Sequence, residues 1–332
     1  MNVMIALNLA AATSLRVVAL LLALSYVLTG CGGERGPEWI RAGSGTTHTL
    51  EAIHGNGPQD VWAVGQAGTI LHFDGSHWSP VDSGTDENLK AVWAQGPKDV
   101  WAVGERVTLH WDGAQWTRAA DSGGTSVWAS GPEDVWVAGG NLGGVLHFNG
   151  KEWTSSPLPT GHGSEADVWG NGPGNVWVCQ LDQGNLAHWN GTSFKAELPR
   201  LPTSSRCRDL GGSDPVDAWA LYHVDPYDYP SEQKMVVLHK GGGEDWRQLS
   251  LLDAAHREDT SRWTALWGTT GKVWVVGSGG LVDHFDGQVW NREQHWDDAA
   301  LELHDVWGSS EKDVWVVGEN GLVARRALST SH

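Results

Sequence analysis

Three groups of residues in this 332-residue chain could do chemistry. Six histidines, His72, His110, His147, His188, His239 and His284, stand at equivalent places just ahead of a turn, and a ring of imidazoles would suggest a metal. Asp225, Tyr227, Asp228 and Tyr229, with His256, Glu258, Trp296 and Asp297, combine carboxylates with aromatic rings, the set that accepts sugar hydroxyls and stacks on sugar faces. The third group is three cysteines: Cys31 closes an apolar segment, while Cys179 and Cys207 could bridge if the chain is exported. No phosphate-binding Gly-Lys-Ser/Thr loop, His-Glu-x-x-His helix, nucleophile elbow or Cys-x-x-Cys pair occurs. With 40 acidic against 22 basic residues the net charge is −18, so no counterion-releasing basic surface exists and nucleic acid is not expected as a partner.

The elements that must position these residues are repeats. Asp60-Val61-Trp62-Ala63-Val64-Gly65 returns from Asp99 and Asp134, and in weaker form from Asn175, Asp217, Lys272 and Asp313. The Trp of each copy, at 62, 101, 136, 177, 219, 274 and 315, recurs about every 42 residues, the period of a β-propeller blade. Each unit shows four short alternating segments bounded by turn residues, such as 89–94, 99–104, 107–111 and 115–119. Asp-Gly or Asn-Gly hairpins at 74, 112, 149, 190 and 286 join the last two. The seventh unit has only three strands, and Glu38-Trp39-Ile40-Arg41 matches the fourth-strand pattern of His77-Trp78-Ser79-Pro80. The expected fold is therefore all-β: a seven-bladed β-propeller, four antiparallel strands per blade, its ring closed by the N-terminal strand in the last blade.

This architecture assigns most of the 22 Trp to the scaffold. Seven fall on second strands, five on first strands (Trp93, Trp128, Trp169, Trp267, Trp307) and six at the start of fourth strands. Because the six histidines recur blade by blade, they should stand far apart around the ring rather than meet at one ion, whose ligands lie at about 2.0–2.1 Å. Structural hydrogen bonding is the expected role, with no metal and no cofactor. Cys179 on the second strand of blade four and Cys207 near the start of blade five could be bridged, or could be two separate core thiols.

Residues 1–30 hold one Arg, no acid and the apolar run Val17 to Leu28, an export-signal core shorter than the roughly 20 residues that span a bilayer. The run ends at Leu28-Thr29-Gly30-Cys31, which resembles the lipobox of bacterial lipoproteins. The resemblance implies a signal peptide over 1–30, lipidation (palmitate among the acyl chains) at Cys31, a tether over 31–37, one propeller over 38–327 and a tail over 328–332. It also implies a protein held by its lipid anchor at the cell envelope, and a monomer is expected. Gly32 after the Cys lacks the Asp that signals inner-membrane retention in some bacteria, which favours the outer membrane.

The repeat itself resembles those of bacterial β-propellers grouped as BNR/Asp-box or photosystem II stability factor-like, and more loosely those of tectonin lectins. The sialidase Asp-box places Trp five residues after Asp, whereas Asp112 to Trp116 is four, so sialidase chemistry is not implied. Three segments break the repeat on the face shared by the second-to-third-strand loops and the blade-to-blade loops: 223–232, 252–259 and 293–298. Their acids and rings (Asp225, Tyr227, Asp228, Tyr229, His256, Glu258, Trp296, Asp297) form the candidate ligand surface, for a glycan or an envelope protein. Asp225, Asp228 and Asp297 do not match the Asp-x-Asp-x-Asp-Gly calcium pattern. The expected function is a non-catalytic binding or scaffold module; the alternative is a glycoside-cleaving enzyme using two carboxylates on the same face.

Overall fold

A computed structural model describes residues 37–140, 144–159, 165–181, 184–197, 199, 201, 205–214, 217–224, 235–241, 245–249, 263–296 and 300–327. Every repeat folds as a four-stranded antiparallel meander, and seven such sheets are present. In blade one the strands are Leu50–Gly57, Asp60–Gly65, Ile70–Phe73 and Trp78–Pro80. The innermost strands of the other six are Leu89–Gly96, Ser126–Gly131, Ala166–Gly172, Arg206–Asp214, Trp263–Thr269 and Leu303–Ser310. The seventh sheet takes its outermost strand, Glu38–Ala42, from the N-terminal end of the chain, and Glu38 pairs with Ala327. The seven-bladed all-β architecture expected from the repeats, including its closure, is the one found.

The Asp-Gly turns work through both residues. Gly75 takes φ +96°, a left-handed conformation that a Cβ would strain. Asp74 Oδ1 accepts the N–H groups of Ser76 and His77 at 2.9 and 3.0 Å, which closes the turn.

Each second-strand Trp is buried, from Trp136 at 0 % exposure to Trp177 at 4 %. An indole that size removes about 150–250 Å² from water, so these seven rings dominate blade-to-blade packing. The recurring histidines are part of the same device. Asp60 Oδ1 accepts the Trp62 indole N–H at 3.0 Å and the His72 Nε2 proton at 2.8 Å, while the imidazole stacks on the indole with centroids 4.1 Å apart. Asp99, Trp101 and His110 repeat the triad in blade two, and Asp134, Trp136 and His147 in blade three. Blade four substitutes Asn175 as the acceptor for His188, and blade five pairs His239 with Asp217. Blade six has Lys272 at the acid's position, so His284 pairs instead with Glu293 at 3.2 Å. In blade seven Arg325 replaces the imidazole, bonding Asp313 at 2.7 Å and lying over Trp315 at 4.9 Å. The His72 hydrogen bond holds the Asp60 carboxyl below its usual range; at Asp134, burial pushes the other way but bonds from His147 and Ser130 outweigh it.

Cys179 and Cys207 form a disulfide between blades four and five, with Cα atoms 6.0 Å apart. The bridge closes a loop of 28 residues. Breaking it, by a Cys207→Ser substitution or by reductant, is expected to cost roughly 3–4 kcal/mol in urea unfolding, from the chain entropy returned to the unfolded state. Unchanged unfolding under reduction would show that the bridge does not constrain the ring.

Candidate binding site at the mouth of the central channel

The first strand of each blade is a sheet edge, and an edge leaves backbone N–H and C=O groups unpaired. Here every one of the seven junctions is stitched by a side chain of one innermost strand bonding the backbone of the next. His54 Nδ1 accepts Ala94 N–H at 3.0 Å, and the Trp93 indole donates to Ala129 O at 2.9 Å. Ser126 Oγ accepts Val168 N–H at 3.1 Å, and Asp167 accepts Leu210 N–H at 2.6 Å. Asp209 accepts Leu266 N–H at 2.6 Å, the Thr264 hydroxyl donates to Leu303 O at 2.6 Å, and Asp305 accepts Ile53 N–H at 2.8 Å.

These residues line a central cavity of about 510 Å³. Three carboxyls and an imidazole inside it are withdrawn from water, which disfavours their charged forms. Burial pushes Asp305 up to about 7 despite the N–H donors of Ile53 and Val306. Asp209 is raised well above the carboxylate range by burial, then by the charges of Asp167 and Asp305. Asp167 is also raised by burial, against the bonds it makes with Ser126, Asp209 and Leu210 N–H, so the two acids titrate as a pair. Burial lowers His54 to about 3, keeping it neutral as the acceptor for Ala94. A glycosidase needs its two acids about 5–9.5 Å apart to flank the scissile bond. Asp167 and Asp209, in contact with each other and each holding a backbone N–H, leave no such gap.

The channel opens on the face where the innermost strands begin, and there a second cavity of about 630 Å³ spreads over blades four to seven and blade one. Its wall combines Glu51, Arg208, Glu302 and His304 with Leu181, Met235, Trp263 and Leu301. Lys90 bonds Glu51 at 3.4 Å. Arg208 is exposed and has no ion pair among the described residues. His223 and Met235 on this wall flank the segment 224–234, Trp263 follows 250–262, and Ala300 follows 297–299. Described residues next to two of the three segments singled out by the broken repeat, and Ala300 beyond the third, thus belong to this wall, whereas Glu293 to Trp296 do not.

Of the expected ligand residues, Asp225, Tyr227, Asp228, Tyr229, His256, Glu258 and Asp297 lie outside the described residues, as does Cys31. Trp296 is described. It is half-buried, edge-on to Trp39 at 6.4 Å, with the Arg41 guanidinium 5.7 Å from its ring centre. Trp296 also closes over Gly280, where a Cβ would come within 3.0 Å of it. Its ring therefore serves the contact between blades six and seven.

The sequence reading passed over Asp167, Asp209 and Asp305. They occupy the repeat position held elsewhere by Ala52, Ala91, Ser126 and Ala265, one residue before the apolar Ile, Val or Leu of the first strand. An acid at a position where sister repeats carry Ala is a usable signal, visible once the blades are aligned on their Trp. Glu51, Arg208, Glu302 and His304 sit where each first strand begins, positions with no motif of their own.

No protein-family model and no curated protein matches this chain. Among solved structures it is similar to "YCF48 bound to D1 peptide" at 19 % identity and TM-score 0.64, covering 88 % of this chain and 97 % of that one. It is similar to YCF48 from Cyanidioschyzon merolae at 16 % identity and TM-score 0.67, covering 88 % and 99 %. A catalytically inactive virginiamycin B lyase from Staphylococcus aureus, solved with quinupristin, has TM-score 0.72 at 8 % identity, covering 88 % and 99 %. At these identities the likeness establishes the propeller fold.

The channel acids make stability pH-dependent with a definite sign. A carboxyl whose folded pKa lies above its unfolded value of about 3.9 binds more protons in the native state between the two, so stability falls as pH rises through that window. Asp209→Asn keeps an acceptor for Leu266 N–H and removes the ionisation. Its Tm relative to wild type is expected to rise steadily between pH 5 and pH 8 in thermal melts. Taking the difference cancels the opposite contribution of His54, whose burial costs stability as pH falls below about 6.5. A difference that does not change with pH would show that Asp209 is ionised throughout.

Proposed function

We propose that this chain is a non-catalytic binding module, held at the bacterial cell envelope by a lipid on Cys31, that takes a segment of a partner protein at the channel mouth. The observation that carries the reading is the 630 Å³ mouth cavity itself, whose wall includes His223, Met235, Trp263 and Ala300, described residues that border departures from the repeat. In a ring of near-identical blades the scaffold demands nothing extra on this face, so a cavity bordered by departures from the repeat points to a ligand there.

A protein segment fits this wall better than a sugar. The wall alternates charged Glu51, Arg208, Glu302 and His304 with apolar Leu181, Met235 and Leu301, suiting a chain of mixed side chains with a polar backbone. A lectin site needs an open aromatic face, and Trp296, the candidate ring among the described residues, is engaged with Trp39 and Arg41. A neighbour of the same fold solved with a peptide, YCF48, gives this reading a precedent.

The test is binding of the full-length protein, purified in detergent, to peptide arrays tiled over envelope proteins and, in parallel, to a glycan array. Peptide binding weakened at least tenfold by Arg208→Ser and by the Tyr227→Ala/Tyr229→Ala pair is expected. Binding to glycans alone, or peptide binding indifferent to these substitutions, would overturn the reading. The anchor is tested separately: Cys31→Ser is expected to abolish palmitate incorporation and to shift the protein out of the acylated membrane fraction. Palmitate still incorporated into the variant would refute lipidation at Cys31.

A further inference from the structure

We propose that Glu302, His304 and Glu319 form a binding site for a divalent transition metal, of the Zn²⁺ type, in the rim of blade seven. One donor atom from each of the three lies within 4.8 Å of the others. A tetrahedral zinc with bonds of about 2.0–2.2 Å sets its ligands about 3.3–3.6 Å apart. The side chains therefore need to close by at most about 1.5 Å, within the reach of a χ rotation of the two glutamates. One imidazole with two carboxylates is a borderline donor set, suited to Zn²⁺ rather than to the all-oxygen shells of Ca²⁺ or Mg²⁺.

The local backbone explains why the three meet. Glu302 and His304 are two apart in extended chain and so share a face, with Leu303 turned fully into the core between them. Glu319 opens the short turn Glu319–Gly321 between the second and third strands, and its N–H donates to Glu302 O at 3.0 Å. That bond ties the turn carrying the third donor to the strand entry carrying the first.

Two further observations point to an ion. The Nε2 atom of His304 is buried and has no hydrogen-bond partner, a costly state for an imidazole nitrogen unless it ligates. The other ring nitrogen, Nδ1, lies 3.8 Å from Glu51 Oε2, outside hydrogen-bond reach but near enough for that carboxylate to favour the proton on Nδ1 and leave Nε2 free to ligate. Glu302 is likewise held, its Oε1 accepting the Ser278 hydroxyl at 2.9 Å.

The sister blades show that the scaffold does not ask for these residue types. The same backbone bond links Gln66 N–H to Thr49 O in blade one, where the three equivalent positions are Thr49, Glu51 and Gln66. Blade two carries Asn88, Lys90 and Glu105 there. Blade seven alone of these concentrates two carboxylates and an imidazole. Three protein ligands leave a tetrahedral ion one position for water or for an incoming donor, and Glu302 and His304 both belong to the wall of the mouth cavity.

The experiment is a Zn²⁺ titration of the full-length protein, stripped with EDTA, in competition with a chromophoric chelator, and needs no knowledge of the partner. One site per chain is expected, weakened at least tenfold by Glu319→Gln and by Glu302→Gln, and about tenfold by Glu51→Gln acting through His304. Zinc-edge absorption spectroscopy should report one nitrogen and two carboxylate ligands. His304→Asn completes the set; should it misfold, Glu319→Gln, in a turn at the surface, decides. No saturable site, or zinc bound equally by wild type, Glu302→Gln and Glu319→Gln, would overturn the proposal and assign the ion to surface histidines such as His48 and His77.

Discussion

The unpaired inner edge of each blade is the constraint on which the rest of this molecule depends. A four-stranded meander satisfies its own backbone everywhere except along its two outer strands, and in a ring the inner one has no solvent-facing side to spare. The seven junctions answer with different chemistry from three positions of the repeat: an imidazole and an indole at the first-strand Trp position, a hydroxyl and three carboxyls two residues earlier, and a second hydroxyl one residue before those. Any group that accepts or donates at the right height serves, which is why the motif is invisible as a motif. The carboxyls bring a cost that the neutral groups do not, since they gather charge in a space with little water. The upward shift of Asp167 and Asp209 is the expression of that cost.

Outside the channel the scaffold is insulated from function by redundancy. Each Trp of a second strand is packed by its own blade's imidazole or guanidinium on one side and by the neighbouring blade on the other. Where a blade departs, a local substitute appears: Arg325 for the imidazole, Glu293 for the missing acid of blade six. Blade five carries Gly211 at the first-strand Trp position, and Trp219 from the second strand takes up the contact with Gly268 of the next blade instead. Such tolerance leaves the strand entries free to vary, and the mouth of the channel is built from those entries.

How much of this could be read beforehand follows from which residues repeat. The spacing of Trp62, Trp101 and their copies, the Asp-Gly turns and the shortened last unit give blade count, strand count and closure, because packing of large rings and left-handed turns restrict residue type strongly. The six histidines follow the same periodicity, and each pairs with an acid or an amide of its own blade. Asp167, Asp209 and Asp305 were not found, since a stitch to backbone can be made by many residue types and carries no spacing signature of its own. Glu302, His304 and Glu319 were missed for another reason: Glu319 is brought to the other two by a hairpin of one blade, 15 residues downstream of His304, and no local pattern connects them.

The strand that completes blade seven also sets where the ring is fastened. Glu38 begins the outermost strand beside Ala327, at the end of the sheet opposite to where the innermost strands start. The clasp made by the first and last described strands runs along the outer edge of blade seven, while the mouth cavity lies at the inner edge of the ring. Loss of the strand Glu38–Ala42 would therefore unlatch the ring from its rim without removing a residue of the cavity wall.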